Sequence, residues 1–226
     1  MKLTAIVPML NEERVIEATL EALRGGAPDA EIIAVDGGSS DRSAVAARAR
    51  CDRVIVSARG RARQMNAGAA AARGDVLVFV HADTLVGDGF AREIAAALTN
   101  PAVIGGRFDV AFDEYGGGLR MVATMINLRS RLMRSATGDQ AIFVRRDAFL
   151  RLGGFAEIEL CEDLDFVRRM KRLGRLACLR ATVRTSSRRW RRDGVGRTIF
   201  RMWLIKALYF VGARPAWLKR HYADAR

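Results

Sequence analysis

Residues 76–83 read VLVFVHAD, an unbroken apolar run followed by a segment that carries the polar residues His81 and Asp83. A strand that is apolar at every position is typical of a parallel sheet covered by helices on both faces. Three earlier segments resemble it, and helical patterns separate them: residues 3–7, 31–35 and 53–56. This alternation predicts an α/β fold in which right-handed crossovers join parallel strands.

Helical periodicity fills the intervals between these strands. The predicted helices, counted from their expected caps, cover residues 12–24, 40–50, 61–73 and 88–98. Ser40 and Asp88 are residue types that favour an N-cap, so each is expected to begin its helix.

The pattern becomes less regular beyond residue 101. It predicts strands at residues 104–112, 141–144 and 177–185, and helices at residues 117–133, 147–153 and 162–173. We therefore expect a mixed sheet in one domain at residues 1–190, with halves at 1–100 and 101–190. A basic and then apolar helical tail follows at residues 191–226.

The charge of the chain restricts its partners. Lys and Arg total 38 and Asp and Glu total 25, which gives a formal charge of +13. A field of this sign concentrates anions, such as phosphate-bearing substrates, nucleic acid or acidic lipid head groups. The 3 Cys residues form no C-x-x-C pair and the chain has 2 His. These counts argue against a disulfide framework and a multi-histidine zinc site, and they favour a cytoplasmic protein.

Polar residues follow each of the first four predicted strands. They are Asn11 and Glu12, then Asp36, then Arg59, Arg61 and Arg63, and finally His81 and Asp83. In an open parallel sheet these positions meet at one edge, where ligands bind. Asp36 and Asp83 repel phosphate unless a divalent cation stands between them, and Mg²⁺ or Mn²⁺ is held in this way by carboxylates and substrate phosphates. The sequence predicts a metal–diphosphate site in which Asp36 and Asp83 share one pocket.

Several alternatives stay open at this point. Asp36 also suits hydrogen bonds to a base or ribose, or an Asx turn. Solvated surface charge is the favoured interpretation of Arg59 and Arg61, whereas Arg63 is equally suited to binding. The sequence contains neither G-x-x-x-x-G-K-[ST] nor G-x-G-x-x-G after the first strand, which argues against P-loop and ordinary dinucleotide enzymes.

Six short motifs occur in an order that resembles the family-2 glycosyltransferases with a GT-A fold. They are IVPMLNEE at 6–13, VDGGSSD at 35–41, RQMNAG at 63–68, HADT at 81–84, GDQ at 138–140 and CEDL at 161–164. The resemblance implies a Rossmann-like, mostly parallel mixed sheet flanked by helices on both faces. Within this family the chain is most similar to the arsenosugar-biosynthesis-associated subgroup.

The resemblance also implies roles for individual residues. The implied nucleotide-binding residues are Pro8, Asn11, Glu12, Asp36, Gly37, Arg63, Asn66, His81, Ala82 and Asp83. Asp83 is the implied ligand of Mn²⁺ or Mg²⁺, and Asp163 with Glu162 is the implied catalytic pair. The implied acceptor side consists of Gly138, Asp139, Gln140, Arg189 and Trp190.

Two departures from the family pattern refine the expected function. His81 stands where the family usually has an acidic residue, so Asp83 is left as the direct carboxylate ligand. Arg189-Trp190 keeps part of the Q-x-x-R-W element of processive enzymes without its Gln. We expect single, inverting transfer of a hexose from a UDP- or GDP-type donor to an acceptor hydroxyl.

Two rival functions belong to other classes of protein. A sugar nucleotidyltransferase usually has a Gly-rich basic loop after the first strand, but residues 8–12 contain neither Gly nor a positive charge. A noncatalytic basic module that binds RNA or a membrane would not need carboxylates at strand ends. No RNA-recognition motif is visible, so no nucleic acid partner is expected.

The C-terminal segment is the least determined part of the sequence. Arginines surround Trp190, and residues 198–211 are apolar apart from Thr198, Arg201 and Lys206. Such a helix needs cover on several sides, and the alternatives are the parent domain, a second subunit in a homo-oligomer, or the inner face of a membrane. Basic charge beside apolar residues suits an anionic lipid surface and a lipid-linked acceptor.

Overall fold

The computed structural model describes residues 1–114 and 116–221, so the last five positions of the predicted tail lie outside the described residues. The strands are β1 Leu3–Met9, β2 Glu31–Asp36, β3 Arg53–Val56, β4 Val76–Phe79, β5 Thr84–Leu85, β6 Val103–Phe112, β7 Ile142–Arg145 and β8 Arg175–Thr185. The helices are α1 Ile16–Gly26, α2 Ser43–Arg48, α3 Arg61–Ala71, α4 Phe90–Ala97, α5 Gly117–Leu132, α6 Arg146–Arg151, α7 Glu162–Leu173, α8 Arg188–Asp193, α9 Val195–Phe210 and α10 Pro215–His221.

One sheet runs through both predicted halves of the domain, in the strand order β3-β2-β1-β4-β7-β6-β8-β5. The pairs among β3, β2, β1 and β4 are parallel, whereas β7 is antiparallel to both β4 and β6. The predicted mixed α/β sheet is confirmed. The division of the domain at residue 100 stays a prediction.

The chain order of the strands reverses between β1 and β4. From β1 the chain goes to β2 and β3 on one side, and then returns to β4 on the other side. Ile6 of β1 is paired with Phe79 of β4, so the segments after both strands leave the sheet at the same edge. A crevice forms at such a reversal point, and ligands of open α/β sheets bind there.

Apolar layers cover both faces of the sheet. On one face α1 and α4 contribute Leu20, Leu23 and Ile94, while on the other face Met65 and Phe166 lie in a second cluster. Every residue of β1 and β4 is buried, which explains why β4 is apolar throughout and β1 is apolar at every position except Thr4.

The short strand β5 was not predicted, because two residues carry no periodicity. It pairs with the end of β8, and the Thr84 hydroxyl donates to the Thr185 hydroxyl at 3.1 Å. This pairing carries the segment after β8, including helix α8, to the loop after β4. Asp83 and Arg188 are therefore neighbours although 105 positions separate them.

A buried ion pair lies within β6. The Arg107 guanidinium donates to the Asp109 carboxylate, which also accepts a hydrogen bond from Arg131. The Arg107 side chain is only 2% exposed, so its charge depends on this carboxylate for compensation.

The C-terminal helices pack on the parent domain, which was one of the predicted alternatives. Trp190 of α8 contacts Phe112 edge to face, and α9 contributes Ile199 and Met202 to the same apolar cluster. Part of this region remains exposed: Phe200, Trp203, Leu204, Phe210, Val211 and Trp217. Within the described residues, no helix has the length and apolar character needed to cross a membrane.

Two expected helix caps were wrong. Helix α2 begins at Ser43 after Arg42, because the Ser40 N–H donates to Asn11 at 2.8 Å and Ser40 stays in the preceding loop. Helix α4 has Gly89 as its N-cap, with a left-handed φ of 77°, and Asp88 lies one position before the cap.

Candidate active site

A cleft opens at the edge of the sheet where β1 and β4 end. Its first lobe is lined by residues that include Pro8, Glu12, Ala82, Asp83, Arg188 and Trp190. A second lobe is lined by residues that include Gly138, Leu160, Cys161, Glu162, Asp163 and Ile205. Residues such as Arg61, His81, Asp139, Arg189 and Lys206 line both lobes, so the two lobes are continuous.

Arg188 bridges two carboxylates in the first lobe. Its Nη2 lies 2.9 Å from Glu12 Oε2 and 3.0 Å from Asp83 Oδ2. Burial alone would lower the pKa of Arg188, but the hydrogen bonds to Glu12 and Asp83 raise it. The loops after β1 and β4 are thus held together by one guanidinium from α8.

The donor set of this lobe can be tested against a divalent cation. Among the residues that the structure describes, no group of three His, Cys, Asp or Glu side chains is placed to hold a metal ion. Asp83 nevertheless presents a partly exposed carboxylate at the cleft. One carboxylate completed by diphosphate oxygens is how Mg²⁺ and Mn²⁺ are commonly held, so Asp83 fits an ion that binds together with a diphosphate.

His81 and Asp139 form a pair between the two lobes. His81 Nδ1 lies 3.2 Å from Asp139 Oδ1. Desolvation raises the pKa of Asp139. The hydrogen bond from His81 and the charges of His81, Arg189 and Arg61 outweigh this effect and hold the pKa well below the usual range. Because the Asp139 carboxylate is ionised and can only accept, Nδ1 of His81 carries the proton.

Gly138 gives the His81 ring its space. A Cβ at position 138 would lie 2.4 Å from His81 Nε2 and 2.5 Å from Cε1. Nε2 is buried and has no hydrogen-bond partner among the residues described. This nitrogen therefore faces Gly138, and His81 is placed to orient Asp139 through its other nitrogen.

We expect Gly138→Ala to displace the imidazole of His81 and break its hydrogen bond to Asp139. The pKa of Asp139 should then rise towards its ordinary value, because the hydrogen bond that lowers it is lost. An NMR titration of the carboxyl carbons measures this change. Gly25→Ala is the matched control, since a Cβ at Gly25 meets nothing within 4 Å. An unchanged Asp139 titration in Gly138→Ala would contradict this account of the pair.

Two acidic residues begin helix α7 in the second lobe. The Gly138 N–H donates to Asp163 Oδ2 at 2.7 Å, and the Leu164 N–H donates to Asp163 Oδ1 at 2.7 Å. Glu162 is buried, and Arg61 Nη1 lies 3.3 Å from its Oε1. Burial raises the pKa of Glu162, the Arg61 charge opposes that rise, and the Asp163 charge adds to it.

Arg61 therefore differs from the favoured expectation of solvated surface charge. Its side chain is 40% exposed, yet its guanidinium reaches the buried carboxylate of Glu162. Arg63 lies two positions further along α3, where helical geometry turns it by about 200°. Its Nε lies 3.0 Å from Glu157 Oε2 at the surface, so the structure does not bring Arg63 to the cleft.

Cys161 precedes the acidic pair in a left-handed conformation, with φ of 68°. Burial and the charges of Asp163 and Glu162 raise the pKa of its thiol to about 12. This thiol is protonated at neutral pH and is a poor nucleophile. The strained backbone at this position suits a turn that aims Glu162 and Asp163 into the cleft.

Five other predicted site residues also lie outside the cleft: Asn11, Asp36, Gly37, Asn66 and Gln140. Asn66 donates to the Phe155 carbonyl at 2.9 Å and accepts its N–H at 2.9 Å, so its amide holds a loop. Gln140 is buried, and it donates to Ser130 Oγ at 3.0 Å. The polar groups of Asn66 and Gln140 thus form their hydrogen bonds within the protein itself.

The loop residues after β1 and β2 brace each other. Asn11 Oδ1 accepts the Ser40 N–H at 2.8 Å, and Asp36 Oδ1 accepts the Ser39 N–H at 3.1 Å. Asp36 therefore forms an Asx-type turn and is buried at the end of β2. The shared pocket predicted for Asp36 and Asp83 is not observed, because Asp83 lines the cleft and Asp36 does not.

Gly37 lies beside this turn, where it leaves space for Gln64. A Cβ on Gly37 would lie 2.9 Å from the Gln64 amide carbon. Gln64 Nε2 donates to the carbonyls of Met9 and Val35 at 2.8 and 2.9 Å. Gln64 thus joins the ends of β1 and β2, a role that the sequence analysis did not identify.

Sequence reasoning also missed the cations that reach the cleft from distant helices. Arg188, Arg129 of α5 and Lys206 of α9 line the first lobe. Helices α5 and α9 each contain two further arginines, so the sequence does not distinguish Arg129 and Lys206 from the basic residues that point elsewhere.

The comparison with protein families gives one match, which includes Asp83 and ends before Glu162 and Asp163. The profile described as "Glycosyl transferase family 2" matches residues 4–155. No curated protein matches the chain.

Several solved structures share the fold at low identity. The S. aureus protein TarS, as its 1–349 fragment, is 20% identical with a TM-score of 0.66, and the match covers 83% of this chain and 61% of that one. The mannosyltransferase PcManGT from Pyrobaculum calidifontis, in complex with GDP-Man and Mn²⁺, is 20% identical with a TM-score of 0.67, covering 91% and 61%. Glucosyl-3-phosphoglycerate synthase from Mycobacterium tuberculosis, in complex with Mn²⁺, UDP and phosphoglyceric acid, is 20% identical with a TM-score of 0.60, covering 80% and 69%. The match thus spans about three fifths of the TarS fragment and of PcManGT.

Proposed function

The chain belongs to glycosyl transferase family 2, and from this premise we propose that it transfers a sugar from a nucleoside diphosphate carrier to an acceptor hydroxyl. The observation that supports this function is that one cleft brings together the carboxylate of Asp83 and those of Glu162 and Asp163. Asp83 lines the first lobe, and the Glu162–Asp163 pair lines the second. The arsenosugar-associated subgroup stays a prediction.

The donor is proposed to be a UDP- or GDP-linked hexose. The PcManGT structure contains GDP-Man with Mn²⁺, and the glucosyl-3-phosphoglycerate synthase structure contains UDP with Mn²⁺. Here Asp83 would hold Mn²⁺ or Mg²⁺ together with the donor diphosphate, and that ion would neutralise the charge that develops on the leaving group. Arg188 already contacts Asp83 and is placed to meet diphosphate oxygens.

The proposed transfer is a single displacement. Asp163 takes the proton of the acceptor hydroxyl as the hydroxyl oxygen attacks the anomeric carbon, and the nucleoside diphosphate leaves with the bonding electrons. Attack opposite the leaving group inverts the anomeric centre. Arg61 holds Glu162 beside Asp163, and His81 holds Asp139 between the two lobes.

The protein is proposed to act once per acceptor in the cytoplasm, at the inner face of the membrane. Cys51, Cys161 and Cys178 are unpaired, which suits a reducing compartment. The exposed aromatic residues of α9 and α10, beside a chain charge of +13, suit an anionic membrane surface.

Calorimetry with UDP and GDP, each with and without Mn²⁺, tests this function. We expect one nucleotide to bind, and Mn²⁺ to strengthen its binding. Replacing a residue that only hydrogen-bonds a metal ligand typically costs about 10- to 100-fold in metal affinity. Asp83 would bind the ion directly, so Asp83→Asn should weaken the Mn²⁺-dependent binding by at least about 10-fold.

Asp88→Asn is the matched control, because Asp88 is an exposed carboxylate five residues away and outside the cleft. Equal Mn²⁺-dependent binding in Asp83→Asn and the wild type would remove Asp83 from the donor site. A protein that ignores both nucleotides and binds RNA with a steep salt dependence would contradict the transferase.

A further inference from the structure

An apolar groove lies between α5 and α9 and is here called the α5–α9 groove. Its walls include Met125, Leu128, Leu132, Met133, Ile199 and Trp203. Leu128 is 55% exposed and Trp203 is 63% exposed, so these side chains form an apolar surface open to solvent. Contiguous exposed apolar surface of this kind marks an interaction site.

Two cations stand at the inner end of the groove. Arg129 and Lys206 line both the groove and the first lobe of the cleft. Neither side chain forms an ion pair with any residue in the described part of the chain, and the buried Nε of Arg129 has no hydrogen-bond partner there. Burial, and then the charge of Arg129, lowers the pKa of Lys206 to about 8, although the charges of Asp163 and Asp139 oppose this lowering.

Two neighbouring cations in a partly buried, apolar setting are unfavourable, and the charge of Asp163 offsets this only in part, because both pKa values stay lowered. Desolvation disfavours each charge, and the like charges repel. The cost is offset when a ligand supplies a phosphate, which matches the donors of both side chains. The inner end of the groove therefore has the chemistry of an anion site.

The groove, the cations and the catalytic pair follow one another in space. Trp190 and Met202 line both the groove and the cleft, so the two cavities are continuous. Lys206 also lines the second lobe, together with Asp163. A molecule lying in the groove would pass its anionic part over Arg129 and Lys206 before reaching Asp163.

We propose that the acceptor is a membrane phospholipid with a hydroxylated head group, whose hydrocarbon chain lies in the α5–α9 groove and whose phosphate is held by Arg129 and Lys206. This inference rests on the proposed glycosyl transfer. The head-group hydroxyl lies beyond the phosphate and is therefore directed towards Asp163. Its oxygen forms the new bond to the anomeric carbon, its proton goes to Asp163, and the nucleoside diphosphate leaves with the electron pair of the broken bond.

The exposed aromatic residues of the same region fit the membrane as the source of this lipid. Phe200, Trp203 and Phe210 of α9 and Trp217 of α10 are exposed. Aromatic side chains of this kind sit at the level of lipid head groups, where α9 would border the groove.

Sedimentation of the full chain with vesicles tests the inference. The probes are vesicles of phosphatidylcholine alone or mixed with phosphatidylglycerol, which adds an anionic head group with free hydroxyls. We expect stronger binding to the phosphatidylglycerol vesicles. Leu128→Glu should weaken this binding by at least about tenfold, because it places a charge in the groove and removes an apolar contact.

Leu150→Glu is the matched control, since Leu150 is 60% exposed on α6 and lies outside the groove. Arg129→Gln should reduce the preference for phosphatidylglycerol, while the other basic residues of the chain keep part of it. Equal binding of Leu128→Glu and Leu150→Glu, or equal binding of the wild type to both vesicles, would overturn the proposal. A stable dimer that masks Leu128 in solution would overturn it as well.

The acceptor role is tested with the nucleotide sugar that calorimetry identifies. Sugar should be incorporated into phosphatidylglycerol and not into phosphatidic acid, which has the phosphate without the head-group hydroxyl. Leu128→Glu should keep the nucleotide affinity of the wild type, because Leu128 does not line the cleft. Nucleotide binding without any lipid binding would overturn this inference and leave the proposed function standing. Lipid binding without any nucleotide binding would refute the proposed function and the acceptor role together.

Discussion

Asp163→Asn is expected to lower kcat by about 10²- to 10⁴-fold, the usual contribution of a general base, while nucleotide affinity stays unchanged. The amide keeps the size of the carboxylate, but its one acceptor oxygen can keep only one of the hydrogen bonds from the Gly138 and Leu164 N–H groups. It cannot take the proton of the acceptor hydroxyl at neutral pH. Single-turnover product formation at saturating donor, together with calorimetry of the nucleotide, measures the two quantities separately.

Asp147→Asn is the control for that variant. Asp147 also lies in the first turn of a helix, but it is 68% exposed and pairs with Arg151 at the surface. Its kcat should match the wild type. A kcat for Asp163→Asn that stays within about twofold of the wild type would remove Asp163 from the chemical step and direct attention to Glu162.

Asp109→Ala is expected to lower the free energy of unfolding by about 3–5 kcal/mol. The change leaves the charge of Arg107 without its carboxylate, and the Arg107 side chain is almost fully buried. Arg131 loses the same partner. Urea denaturation followed by circular dichroism measures the change, with the slope of the transition checked for two-state behaviour.

Asp147→Ala provides the comparison, because it breaks an exposed i,i+4 pair that should contribute only about 0.3–0.5 kcal/mol. Similar losses in the two variants would show that burial does not set the energy of the Arg107–Asp109 pair. The ion pair would then be a surface-like interaction despite its position in β6.

The first half of the fold could be predicted because its signal is local. Every residue of β4 is buried, and the run of apolar residues records that directly. The edge of the sheet that carries Glu12 and Asp83 followed from parallel strands alone. The caps were harder to predict. Ser40 has the right chemistry for an N-cap, but its N–H donates to Asn11 in the loop after β1.

The site itself was only partly predictable, because helix rotation and tertiary contacts decide where side chains point. Arg61 and Arg63 belong to the same short basic stretch, yet one reaches Glu162 and the other reaches Glu157 at the surface. Arg188 meets Asp83 only because β5 pairs with β8. No spacing in the sequence records that long-range pairing.

The contact between Gly138 and His81 has an evolutionary consequence. An imidazole at position 81 leaves no volume for even a methyl group at position 138. The smaller side chain of aspartate at position 81 would relax that restriction, so substitutions at the two positions should be historically linked. Relatives that have an acidic residue at position 81 are expected to tolerate alanine or serine at position 138, and those that have histidine are expected to have glycine.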